Sequence, residues 1–207
     1  GMRLRSALKQ TAGQRALIVT YWDGVDSLSH AYGAHSDEVR HEVRAQMMLL
    51  QDALARPEGR DGRTLVMILA DHGHHDVHTT IDFNQTAAGR DIMNAMRGAF
   101  TGDQRFAYVH LREGMLPTVQ AALQAEYAET LAWFTPSEAL AAGLFGAGLP
   151  HPHFHHRAGD LIITPRLGYK LAYMIQPTDP RRQSQHISIH GGLSDHEMLV
   201  PMLWQVI

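Results

Sequence analysis

Apolar and polar positions alternate along this chain in short segments of two kinds. Ala16 to Trp22 is a continuous apolar and β-branched run that stops at Asp23-Gly24. Such a run bounded by turn residues predicts a buried strand. Thr64 to Ala70 has the same character and stops at Asp71, predicting a second strand. Between them Val39, Val43, Met47, Leu50 and Leu54 recur at helical spacing. Ser36 is placed to cap that helix, Asp37 and Glu38 lie in its first turn, and Pro57 and Gly59 follow it. A short helix over 3–12 precedes these elements. Downstream the pattern predicts a helix over 87–100, a strand over 106–111, a helix over 116–127, a strand over 130–134 and a helix opening at Pro136. Residues 143–158 read as a surface loop, 160–164 and 169–175 as the strands of a peripheral hairpin, and 177–185 as a polar, mobile segment. A turn or short helix over 194–198 leads to a last strand over 199–207.

Strands that alternate with helices predict an α/β sandwich with a mostly parallel sheet. No repeat or linker divides the chain, so residues 1–207 are expected to form a single unit. Hydrophobic residues make up 44% of the 207 and charged residues 19%, which excludes a disordered or coiled-coil chain. No apolar run approaches the roughly 18 residues of a membrane span, so no membrane partner is expected. The net charge is −3, from 18 basic and 21 acidic residues. That balance gives no footprint for a nucleic-acid polymer. Gly1 ahead of Met2 reads as a remnant of tag cleavage, and no export signal follows Met2. With no cysteine either, a cytoplasmic location is the expectation.

The composition changes the picture at one residue type. There are 15 histidines, and without thiolates any metal site must use imidazoles and carboxylates, which suits zinc, manganese or iron. Open α/β sheets place ligands outside the carboxyl ends of their strands. Both strong strands end there in acidic residues beside histidines. After the first, Asp26 and His30 stand four apart, on one face of a helical turn. After the second come Asp71, His72 and Gly73. A third candidate is His190, before the paired glycines Gly191 and Gly192. His74, His75 and His78 read as a solvated loop around the site, and His151, His153, His155 and His156 as an exposed loop. Asp23 reads as a turn residue.

These three segments, in this order, resemble the alkaline phosphatase superfamily, and within it the type I phosphodiesterase/nucleotide pyrophosphatase branch. Tyr21 to Gly33 is similar to its Asp-x-x-x-His segment, Ala70 to Gly73 to its Asp-His-Gly segment, and His190 to Pro201 to its closing His-Gly element. The resemblance implies a three-layer α/β/α sandwich of alkaline-phosphatase type and hydrolysis of a phosphate ester or nucleotide substrate. It implies two divalent metal ions, zinc first and manganese second. Asp26, His30 and His190 would hold one ion, and Asp71 and His72 part of the other, with one ion or none retained by this chain.

The departure from the pattern concerns the nucleophile. Members carry an aspartate and a Thr or Ser nucleophile upstream of the first strand seen here. About 15 residues precede that strand, against the roughly 30 of a βαβ unit. Thr11 is the only threonine among them, and it has no strand ahead of it. No catalytic residue is therefore assigned, and the chain reads as the C-terminal portion of such an enzyme, inactive alone and prone to self-association or lacking an N-terminal half. The alternative is a non-catalytic metal-binding fragment or split-gene subunit that needs a partner chain. A third reading is another superfamily member, such as a sulfatase or a metal-dependent phosphoglycerate mutase.

Overall fold

The computed structural model of the chain describes residues 1–55, 63–172 and 186–207. In chain order these form α1 (Met2–Gln10), α2 (Gly24–Tyr32), α3 (Asp37–Leu54), β1 (Leu65–Leu69), β2 (His75–Asp76), β3 (Thr79–Ile81), α4 (Ala87–Ala95), β4 (Thr101–Gly102) and β5 (Ala107–Val109). There follow α5 (Leu116–Glu126), β6 (Leu131–Phe134), α6 (Pro136–Ala141), α7 (Phe154–Ala158), β7 (Leu161–Pro165), β8 (Tyr169–Leu171), β9 (Ser188–Ile189), α8 (Asp195–Met198) and β10 (Met202–Val206). The α/β class is as expected. Pro57, Gly59 and the segments expected over 173–175 and 177–185 lie outside the described residues.

Helix boundaries follow local chemistry. The Ser36 hydroxyl accepts a hydrogen bond from the Val39 amide at the start of α3. Thr135 and Glu138 close a reciprocal capping box on α6, as Ser194 and Glu197 do on α8. Each satisfies amides that no helical carbonyl can reach. α2 ends at Gly33, whose φ of 98° suits a residue without Cβ.

The main core lies around a four-stranded antiparallel sheet of order β4-β5-β7-β6. Ile92 and Ala95 of α4 and Val119 and Leu123 of α5 pack against Val109, Leu131, Leu161 and Ile163. Burial of each large aliphatic side chain contributes roughly 1.5–3 kcal/mol. All five residues of β7 are buried. This corrects the hairpin expected near 160–175. β7 pairs with β5 and β6, whereas β8 pairs in parallel with β3. A run as apolar as Leu-Ile-Ile-Thr-Pro is buried on both faces and belongs inside a sheet.

The sheet expected to be mostly parallel differs too. Among the described residues only the β3–β8 pairing is parallel. The strand expected over 16–22 carries no ladder, and Leu17 and Tyr21 are 90% and 79% exposed. A strand needs a partner's backbone groups, and the run meets none among the described residues. β1 instead pairs antiparallel with β10, with Met67 opposite Trp204. That two-stranded ribbon leaves Leu65, Met67, Leu69, Met202, Leu203 and Trp204 exposed. No helix among the described residues is long and apolar enough to cross a membrane.

Candidate metal centre

Helix α2 presents Asp26 from its first turn and His30 from its last. The i,i+4 spacing puts Asp26 Oδ1 3.4 Å from His30 Nε2. The second side of the site comes from the β2–β9 ladder, which pairs His75 with Ile189. Continuing that antiparallel register by one residue sets His74 across from His190. Asp26 Oδ1 lies 2.7 Å from His74 Nε2 and 3.6 Å from His190 Nε2. Asp26, His30, His74 and His190 each offer one donor atom, all within 4.8 Å of one another. The ladder is tied to α2 directly: the Ile187 amide donates to the His30 carbonyl at 2.9 Å, and the Ala34 amide to Asp76 at 2.8 Å.

The protonation pattern follows from the partners. His30 Nδ1 lies 2.8 Å from the Ser188 carbonyl, which can only accept, so Nδ1 carries a proton and Nε2 is the nitrogen turned toward Asp26. His74 is flanked by Asp26 at Nε2 and by the Ser188 hydroxyl at Nδ1, 3.2 Å away. The ionised Asp26 carboxylate only accepts, so His74 Nε2 carries the proton and donates to it, while Nδ1 accepts from the Ser188 hydroxyl. The Asp26–His74–Ser188 chain has the order of a hydrolytic triad, but Ser188 is fully buried and serves to orient His74. Burial, joined by the neighbouring His30 and His190, pushes His74 down to about 4. Burial, then His72, lowers His190. Burial alone would raise Asp26, but the His74 hydrogen bond and the surrounding imidazoles outweigh it and lower its pKa. At neutral pH these shifts leave Asp26 ionised and His74 and His190 neutral.

That donor set fits a divalent cation. His30 presents Nε2, the nitrogen free of the Ser188 carbonyl, toward the Asp26 carboxylate at a spacing an ion could bridge. Donors around a tetrahedral zinc at 2.0–2.2 Å lie about 3.3–3.6 Å apart, close to the separations of His30 and His190 from Asp26. His30 gains the backbone-carbonyl partner on its far nitrogen that orients metal-ligating histidines.

Of the residues singled out in the sequence, Asp26, His30 and His190 come together, while Asp71 and His72 stand beside the group. The His72 ring stacks on that of His190 with centroids 3.6 Å apart, and Asp71, largely exposed, reaches His72 at 3.7 Å. Among the described residues these two join no group of three potential ligands. His74, expected in a solvated loop, is instead at the centre; His75 is buried, and of the three only His78 is exposed. The signal for His74 was its spacing, since residues two apart on extended backbone share a side, as His72 and His74 do. His186 stacks on His30 at 4.1 Å. His151, His153, His155 and His156 are exposed, as expected. Thr11 caps the C-terminal end of α1, its hydroxyl donating to the Ala7 carbonyl at 2.9 Å. The negative end of a helix dipole is a poor place for an attacking alkoxide.

Among solved structures, human ectonucleotide pyrophosphatase / phosphodiesterase 5 is similar with a TM-score of 0.69 and 16% identity, over 98% of this chain and 51% of that one. The murine protein gives 0.65 and 15%, over 97% and 50%. Phosphonoacetate hydrolase from Sinorhizobium meliloti, in complex with phosphonoformate, gives 0.56 and 19%, over 86% and 43%. At such identities the likeness is one of fold. The chain spans about half the length of these structures. No curated protein matches it in sequence. Residues 3–193 match the family model for type I phosphodiesterase / nucleotide pyrophosphatase, and the chain belongs to that family.

Proposed function

We propose that this chain supplies the metal-binding part of the active centre of a metal-dependent phosphoric ester hydrolase acting on phosphodiesters or nucleotide pyrophosphates. The observation that carries the reading is the convergence of Asp26, His30, His74 and His190 on one point. Family membership supports the reaction class. A nucleotide substrate is supported by the murine phosphodiesterase 5, of which an inactive variant is known in complex with AMP. Zinc suits the donor set first and manganese second. When bound, such an ion would polarise a phosphoryl oxygen and activate an attacking or leaving oxygen. Asp26 supplies the compensating negative charge, and His30 and His190 supply neutral donors. Asp71 and His72 lie where a second ion would share the phosphoryl group, and exposed Asp71 is free to turn toward it.

The nucleophile comes from outside these residues. Alone, the chain is expected to hydrolyse bis(4-nitrophenyl) phosphate poorly or not at all with zinc or manganese added, because residues that act as a unit fail as a unit. Restoration by an added polypeptide that carries a Thr or Ser at a helix N-terminus would support the hydrolase reading. Robust turnover abolished by Thr11→Ala would overturn the assignment of the nucleophile. The second reading, a metal-binding subunit without catalysis, is favoured by the engagement of the Thr11 hydroxyl within α1. It would stand if metal bound tightly and no complement gave turnover.

The β1–β10 ribbon and the 16–22 segment bear on the partner. Their exposed apolar side chains are read as the seat of further polypeptide, since the matched structures are about twice as long as this chain. With that seat uncovered, the isolated chain is expected to self-associate through it. Light scattering at rising concentration should show oligomers that Met67→Lys combined with Trp204→Lys disperses. A monomer at high concentration would refute the association.

A further inference from the structure

The buried pair Arg105–Glu197 belongs to no group of potential metal ligands among the described residues, yet both turns that carry the downstream histidines hang on it. The two side chains are each 1% exposed. Arg105 forks onto Glu197, with Nε to Oε1 at 2.8 Å and Nη2 to Oε2 at 2.6 Å. Its remaining terminal nitrogen donates to the carbonyls of Pro165, Arg166 and Tyr169 at 2.6–2.9 Å. The guanidinium is thereby anchored in the rim of the four-stranded sheet, where β7 turns into β8. On the other side, Glu197 accepts from the Gly192 amide at 2.8 Å and the Ser194 hydroxyl at 2.6 Å. These bonds hold the turn that begins at His190. The Glu197 backbone carbonyl accepts from the Gly73 amide at 2.8 Å, the residue after His72. The fit leaves no slack: a Cβ on Gly73 would collide with the His196 carbonyl, and one on Gly192 would lie 2.8 Å from both Arg105 and Glu197.

We infer that the Arg105–Glu197 pair is a positioning clamp, which refers His190 and His72 to the rigid four-stranded sheet and so sets their distance from Asp26 and His30 on α2. A loose turn would leave the same ligands in the sequence and a misplaced donor in the site. Residues that orient metal ligands typically change affinity by about 10–100-fold when replaced. The inference rests on the metal reading proposed above, and the test separates the two.

The probe is cobalt(II), whose visible absorption reports the number and arrangement of its ligands. The informative variant is Arg105→Met with Glu197→Leu, which removes the clamp without leaving a buried charge unpaired. Hydrogen exchange at the Gly73 and Gly192 amides is measured in the metal-free protein alongside. The clamp predicts weaker cobalt binding by about 10–100-fold and an altered visible spectrum. It also predicts exchange at both glycine amides faster by at least about tenfold, with β5 and β7 amides unchanged. A folded double variant with the wild-type spectrum, affinity and glycine exchange overturns it. If the double variant does not fold, Ser194→Ala removes the hydroxyl's bond to the Glu197 carboxylate, together with its share of the α8 capping box, and no charge. The expected loss of affinity is then about 2- to 10-fold, and none at all would overturn the clamp. Cobalt binding absent from the wild type would sink the metal reading, and the glycine exchange alone would then decide the clamp.

Discussion

Asp26→Ala protein is expected to bind zinc or cobalt at least about 100-fold more weakly than wild type. Asp26 is the only carboxylate among the four clustered donors, and its Oδ1 is the common neighbour of His30, His74 and His190. Without it three neutral imidazoles would face a dication with nothing to offset its charge. The loss should be specific to this site. His151→Ala with His153→Ala changes exposed residues and should leave tight binding intact. Titration calorimetry on the three proteins checks this. Equal affinity in Asp26→Ala and wild type would remove the cluster as the metal site. His74→Ala separates two roles: a residue that only orients Asp26 should cost less affinity than one that also donates to the ion.

Glu197→Gln is expected to lower stability by about 3–5 kcal/mol, the usual cost of breaking a buried ion pair from one side. For a chain of this size that is a fall in melting temperature of roughly 6–20 °C. The cost arises because the Arg105 guanidinium stays buried after its counter-charge is gone. The double variant Arg105→Met with Glu197→Leu should recover most of the loss, a contrast that simple contact counting would not give. The pair also has an acid signature. Burial alone would raise the Glu197 pKa, but bonds from Arg105, Ser194 and the Gly192 amide hold it at about 2, against an ordinary 4.5. A depressed carboxylate pKa stabilises the fold fully above the unfolded value. That contribution should be lost as pH falls from about 4.5 toward 2. Thermal melts across that window should lose less in the double variant. Parallel pH dependence in both proteins would count against the pair as its source.

Much of the site was legible because its signals are local. Asp26 and His30 are one helical turn apart, and the helical turn predicted for them is α2 itself. The capping residues Ser36 and Ser194 stand directly before the helices they start. The three motif segments keep their order along the chain whatever the strands between them do, so the family could be recognised. Two expectations failed where the signal is shared by alternatives. Ala16–Trp22 and Leu161–Pro165 are similar apolar runs, yet one is exposed coil and the other the centre of a sheet. Nothing within either run says whether a neighbouring strand exists.

By itself, then, the amino-acid order determined the helices with their caps, the apolar runs able to become strands, and the chemistry available to a metal site. Only the tertiary structure decided which runs found partners and which histidines met. His74 reaches the site because the β2–β9 ladder sets it across from His190, two positions 116 residues apart in the chain. Arg105 and Glu197 find each other across 92 residues. Helical spacing and capping are satisfied within a few residues, so they can be read along the chain. Ladder register and buried charge pairing are satisfied by groups far away in sequence, and the requirement leaves no mark at either end until the fold brings both ends together.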